Sequence, residues 1–147
     1  MIDTDRIART KADILDACAR IDALVAEGKE QFLSDPKSAF ALKYLLIEAV
    51  EAIVDMCQHL LAKGKGTACE GYIDCIIKAG EKGIITIQLS NKLRRLADLR
   101  NNLVHRYWII NDAPLFDQTA ANRGDLKEFV LQAQGFVSSL KIVHLGD

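Results

Sequence analysis

Residues Pro36 to Ala62, PKSAFALKYLLIEAVEAIVDMCQHLLA, decide the fold. Phe40, Tyr44, Leu45, Ile47, Val50, Ile53, Val54, Cys57, Leu60 and Leu61 recur with the rhythm of a helix. So wide an apolar face fits a central helix touched on two or more sides. Asp35 is placed to cap its first turn. Pro36 suits the first helical position, where a missing N–H costs nothing. Lys63-Gly64-Lys65-Gly66-Thr67 reads as the polar loop that ends it.

Toward the N-terminus, residues 4 to about 33 carry one more helical pattern. Ile7, Ile14 and Ile21 recur every seven residues, and Leu24 and Val25 complete the stripe. Ser34-Asp35-Pro36 marks a stop and restart. Toward the C-terminus a short helix is expected around Gly71 to Ala79, followed by a turn at Gly80 to Gly83. Ile84-Ile85-Thr86-Ile87 has strand-like composition, but a lone strand would have no partner. It is therefore assigned to the start of a fourth helix reaching about Trp108. A loop around Pro114, from about Ile110 to Gln118, precedes a last helix over roughly Asp125 to Val143. Leu126, Phe129, Val130, Ala133, Phe136, Val137 and Leu140 share one face of that helix. The expectation is all-α: an antiparallel bundle of four to five helices in a single domain, residues 1–147.

Composition agrees. Of 147 residues, 50% are hydrophobic and 27% charged, which excludes a disordered chain. Two prolines and nine glycines are too few for many short strands. With 19 Lys and Arg against 20 Asp and Glu there is no global basic field, so a nucleic-acid contact needs a local patch. No run approaches the ~18 apolar residues of a membrane span. MIDTDRIART carries charges where a signal peptide is apolar, so a cytoplasmic protein without a membrane partner is expected. Cys18, Cys57, Cys69 and Cys75 form no C-x-x-C pair and are expected to be reduced, small core residues.

Most candidate chemistry dissolves on inspection. Gly66 is followed by Thr67 where a phosphate loop needs Lys, and Cys69 stands where G-x-G-x-x-G needs its third Gly. His59 and His144 join no metal-ligand pattern, so neither a metal nor a cofactor is expected. Asp13 with Asp16 and Glu48 with Glu51 read as a solvated face or ion pairs.

Asn91 to Trp108, NKLRRLADLRNNLVHRYW, differs. Lys92, Arg94, Arg95, Arg100 and Arg106 face one acid, Asp98, and the stretch groups Arg100, Asn101, Asn102, His105 and Tyr107. On a continuous helix Arg100 and Tyr107 align within about 20°, and Asn101 shares a stripe with His105. Arg100 and His105 point about 140° apart, with an axial offset of about 7.5 Å. They straddle a groove, which a two-fold axis between copies would turn into a cleft with two Arg and two His. Arg offers a forked cation for phosphate oxygens, and histidine passes protons near neutrality. Together they suit RNA cleavage by its own 2′-hydroxyl, chemistry that needs no metal.

These residues spell R-x-x-x-x-H-x-Y, with Asn101 directly after Arg100. The pattern resembles the HEPN ribonucleases, specifically the HepT-like toxins of toxin–antitoxin pairs. The resemblance runs through ALKYLLIEAVEAIVDMCQHL (Ala41 to Leu60) and GIITIQLSNKLRRLADLRNNLVHRY (Gly83 to Tyr107). It implies a homodimeric endoribonuclease acting on RNA, not DNA, with Arg100 and His105 catalytic and Asn101 supporting. It also implies an MntA-like nucleotidyltransferase antitoxin that silences the toxin by AMPylation of Tyr107. The alternative is a non-catalytic helical partner or substrate-binding subunit of a nucleotidyltransferase.

Overall fold

The computed structural model describes the backbone of residues 1–146 and the side chains of residues 1–141. Among these are seven α-helices and one 3-10 turn, and no strand. They are α1 (Thr4–Ala26), α2 (Lys29–Ser34), α3 (Pro36–Lys65), α4 (Tyr72–Glu81), α5 (Ile87–His105), the turn Tyr107–Ile109, α6 (Asp112–Asn122) and α7 (Gly124–Gly146). His144 lies outside the described side chains. No helix among the described residues is long and apolar enough to cross a membrane.

The 30-residue α3 is the centre, as its wide apolar face predicts. Asp35 caps it by accepting from the Lys37 N–H, and Pro36 occupies the first turn. The helix runs past the expected loop to Lys65 and ends where Gly66 adopts φ 58°, the left-handed conformation that favours glycine. Gly64 is inside the helix for a packing reason. A Cβ there would stand 2.9 Å from the Phe136 ring of α7. α1 packs along α3, while α7 reaches α1, α3 and α5.

The single helix expected over residues 4 to 33 is two. Gly28, at φ 91°, breaks it, and α2 turns Phe32 into the core, 5.1 Å from the Phe116 ring. The loop expected around Pro114 is mostly helix. Pro114 sits in the first turn of α6, where backbone N–H groups lack partners anyway, and Leu115, Phe116 and Thr119 are buried. The Ile84–Ile87 run splits. Ile84 and Ile85 are buried in the turn, and α5 starts only at Ile87, where the Thr86 hydroxyl accepts from the Leu89 N–H.

Three contacts seat α5. Gly80 allows α4 to approach so closely that a Cβ there would stand 2.6 Å from Ser90 Cβ. The Ser90 hydroxyl then donates to the Ile76 carbonyl at 2.8 Å. The Thr86 N–H donates to Gln132 of α7.

The cysteine expectation fails for one pair. Cys18 and Cys57 are free and buried, and burial pushes the Cys57 thiol up to about 12. Cys69 and Cys75 form a disulfide, their Cα atoms 5.1 Å apart. The loop after α3 folds back onto the first turn of α4 and brings residues six apart into contact, which spacing alone does not reveal.

His59 is buried and anchors the N-terminus. Its Nε2 accepts from the Asp3 N–H at 2.8 Å, so the ring must be neutral there. Desolvation, with help from nearby Arg6, holds its pKa below the usual 6.5. The unfolded chain therefore binds the proton first. This contribution to stability is full above about pH 6.5 and shrinks as pH falls toward the depressed folded value. Urea unfolding between pH 7.5 and 5.5 should show it, and His59→Gln should remove that part of the slope.

Candidate functional site

Arg100 lies on α5 with its side chain only 13% exposed. Neighbouring elements hold it on several sides. Nη2 donates to Glu51 Oε1 of α3 at 3.2 Å and to the Tyr72 hydroxyl of α4 at 3.1 Å. The guanidinium carbon stands 4.1 Å from the Tyr72 ring centroid, a cation–π stack. Nη1 donates to Asn101 Oδ1 at 3.2 Å. Nε is buried and has no hydrogen-bond partner. The flat cation is thus fixed in plane by a ring and in rotation by a carboxylate. Glu51 reads in the sequence only as part of a solvated face or an ion pair, and Tyr72 carries no signal, because nothing in a linear pattern shows which residues of α3 and α4 face α5.

Asn101 and Asn102 are half-buried, and His105 is exposed on the last turn of α5. Arg100 and His105 share the helix, so their axial offset of about 7.5 Å stands. Tyr107 does not share it. The helix was expected to reach Trp108, but Arg106 leaves helical geometry at φ −142°, ψ 41°. Its N–H still bonds to the Asn102 carbonyl at 2.7 Å. Tyr107 then opens the 3-10 turn, 64% exposed and edge-on to Trp108. The expected alignment with Arg100 is therefore lost: the turn re-aims the tyrosine.

Val104, Tyr107, Trp108 and Ile109 form an exposed apolar group around His105. Single exposed apolar residues are ordinary, whereas three consecutive ones, Tyr107 to Ile109, are less so. Arg94, Arg95 and Arg106 are exposed on or just after the same helix, so a local basic stretch exists on a chain of net charge −1. Arg100 and His105 diverge by about 140° on α5 and do not converge within one copy. A held guanidinium can stabilise phosphate charge, and an exposed imidazole can move a proton.

The sequence model of the ribonuclease HepT-like family matches residues 14–133, most of the chain. The chain belongs to the HepT-like ribonuclease family. This HepT-like protein is also 28% identical over 87 residues to the tRNA nuclease HepT of Aphanizomenon flos-aquae. That alignment covers 59% of either chain, so the protein spans under two thirds of the length of the curated relative it matches. Among solved structures it resembles the tri-AMPylated Shewanella oneidensis HEPN toxin in complex with MNT antitoxin. The identity is 23%, the TM-score 0.81, and the match covers 89% of this chain and 98% of that one. It also resembles YutE, a cytosolic Bacillus subtilis protein of unknown function, at 17% identity and TM-score 0.79, covering 94% and 92%. At these identities the HepT-like protein and the solved structures share a fold, and the all-α expectation holds.

Proposed function

We propose that this HepT-like ribonuclease is the toxin of a toxin–antitoxin pair, a single-domain homodimer that cuts RNA without a metal. Arg100 and His105 are the catalytic residues and Asn101 supports them. The observation that carries this reading is Arg100, fixed on α5 by Tyr72 and Glu51, about 7.5 Å along the same helix from an exposed His105. The apolar group around His105 supports self-association there, which would bring two such sets into one cleft.

In that cleft one His105 takes the proton of the RNA 2′-hydroxyl. The freed oxygen attacks phosphorus, the bond to the 5′-oxygen breaks, and the partner's His105 gives that oxygen a proton. The products are a 2′,3′-cyclic phosphate and a 5′-hydroxyl. Arg100 stabilises the charge gathering on the phosphoryl oxygens, and its pre-set plane means little reorganisation is needed. Transfer RNA is the substrate to test first, given the name of the Aphanizomenon relative. Purified protein should release cyclic-phosphate ends from transfer RNA in the presence of a chelator. Cleavage only after adding a divalent ion would reject the metal-free mechanism, and no cleavage would reject the enzyme.

The partner is an MNT-type nucleotidyltransferase, as in the Shewanella complex. It silences this chain by AMPylation: the Tyr107 phenolic oxygen attacks the α-phosphate of ATP, pyrophosphate leaves, and the phenolic proton goes to solvent. The exposure of Tyr107 supports access by such an enzyme. The modification adds a negative charge and a bulky nucleoside to the surface around His105. Co-expression with an MNT-type nucleotidyltransferase should raise the intact mass in steps of one AMP. Tyr107→Phe should abolish the step and leave the protein toxic.

A further inference from the structure

Tyr72 is the second residue of interest at the site, and it lies between the two halves of a disulfide. Cys69 is in the loop after α3 and Cys75 is in the first turn of α4, with Tyr72 opening that helix. The bond closes this segment into a small ring. Gly71, at φ 79°, supplies no side-chain cap for α4. The other tethers of the loop are exposed. Asp74 accepts from the Glu70 N–H at 2.8 Å, and Lys78 donates to the Ala68 carbonyl at 3.0 Å. Exposed polar contacts of this kind hold weakly against water. Tyr72 and Ile73 also pack against the core, and the disulfide is the covalent constraint on the loop that leads into the residue stacked over Arg100.

We infer that Tyr72 is a positioning residue for Arg100 and that the Cys69–Cys75 bond controls its hold, making the site responsive to dithiol reductants. The inference rests on the catalytic role proposed for Arg100. Cys75 is fully buried, while Cys69 is partly exposed, so attack falls on the Cys69 sulfur. A thiolate of the reductant bonds to that sulfur and expels Cys75 as a thiolate, which takes a proton. The reductant's second thiol then displaces Cys69 as a thiol. Two electrons and two protons pass to the protein, and the reductant leaves as its own disulfide. The ring opens, the loop slackens, and Tyr72 loses its fixed place above the guanidinium. In a thiol-rich milieu such a bond is transient, the setting in which redox-sensing disulfides occur.

The test compares full-length protein, oxidised and after dithiothreitol, with the bond state read by intact mass after thiol alkylation. Oxidised protein should cut transfer RNA with a kcat about tenfold above the reduced form, short of the ~10²-fold that a 1 Å misplacement can cost. KM should barely change, since the shift acts on the transition-state contact. Cys69→Ser should behave as reduced protein in both conditions. Tyr72→Phe keeps the stack and should keep the redox response, whereas Tyr72→Leu should lose it along with kcat. Hydrogen exchange at the buried Arg100 Nε–H, followed by NMR, should be slow when oxidised and fast when reduced. Equal kcat and equal exchange in the two verified states would overturn the inference, as would an undiminished response in Tyr72→Leu. If neither state cuts RNA, the proposed function fails, and the Nε–H exchange alone still decides whether the bond sets the hold on Arg100.

Discussion

His105→Ala should lower RNA cleavage about 10²–10⁴-fold, the range that one general acid–base group contributes. In the proposed two-fold cleft the expectation lies toward the upper end, because one substitution would remove the proton acceptor and the proton donor together. His105 is exposed at the end of α5 and contributes nothing to the core, so the variant should fold normally. Unchanged thermal unfolding beside lost cleavage separates chemistry from stability. Cleavage that survives within threefold of wild type would place the catalytic base elsewhere.

Arg100→Ala should cost about 10²–10³-fold in kcat, comparable to removing one preorganised charge-stabilising donor. Here a structural cost accompanies the chemical one. Tyr72 loses the cation on its face and Glu51 loses its ion-pair partner, though Glu51 is half exposed and water can solvate it. Arg100→Lys should recover only a small part. An ammonium cannot lie flat over the Tyr72 ring while reaching Glu51 and Asn101, and it offers no fork to a phosphate. Single-turnover rates on transfer RNA, measured beside denaturant unfolding, check both variants. Full rescue by lysine would show that Arg100 supplies only a point charge.

The main elements of the bundle were legible because amphipathic periodicity is local. Ile14 and Ile21 of α1, Val50, Ile53 and Leu60 of α3, and Phe129 and Val130 of α7 are buried as their spacing predicts, whereas Phe40 and Tyr44, counted in the same face of α3, are exposed. Helix punctuation was less so. Gly28 could be tolerated inside a helix, yet it adopts φ 91° and breaks it, and the α2 that follows packs Phe32 against Phe116. Pro114 reads as a loop signal, yet a first-turn proline starts a helix equally well. At the site, Arg100, Asn101 and His105 were readable from one continuous stretch. The support of Arg100 by Glu51 and Tyr72 was not, since it joins three helices far apart in sequence. Nor was the exit from helical geometry at Arg106, where no proline or glycine announces it.

That exit has a genetic consequence. The three residues of the 3-10 turn bear no buried side chain, so replacing any of them should barely trouble folding. On the proposed reading, the off-switch of this toxin is therefore one codon away from loss while the weapon itself stays intact. On that reading a cell that mutates Tyr107 should succumb to its own toxin, although the scaffold has no need of the residue.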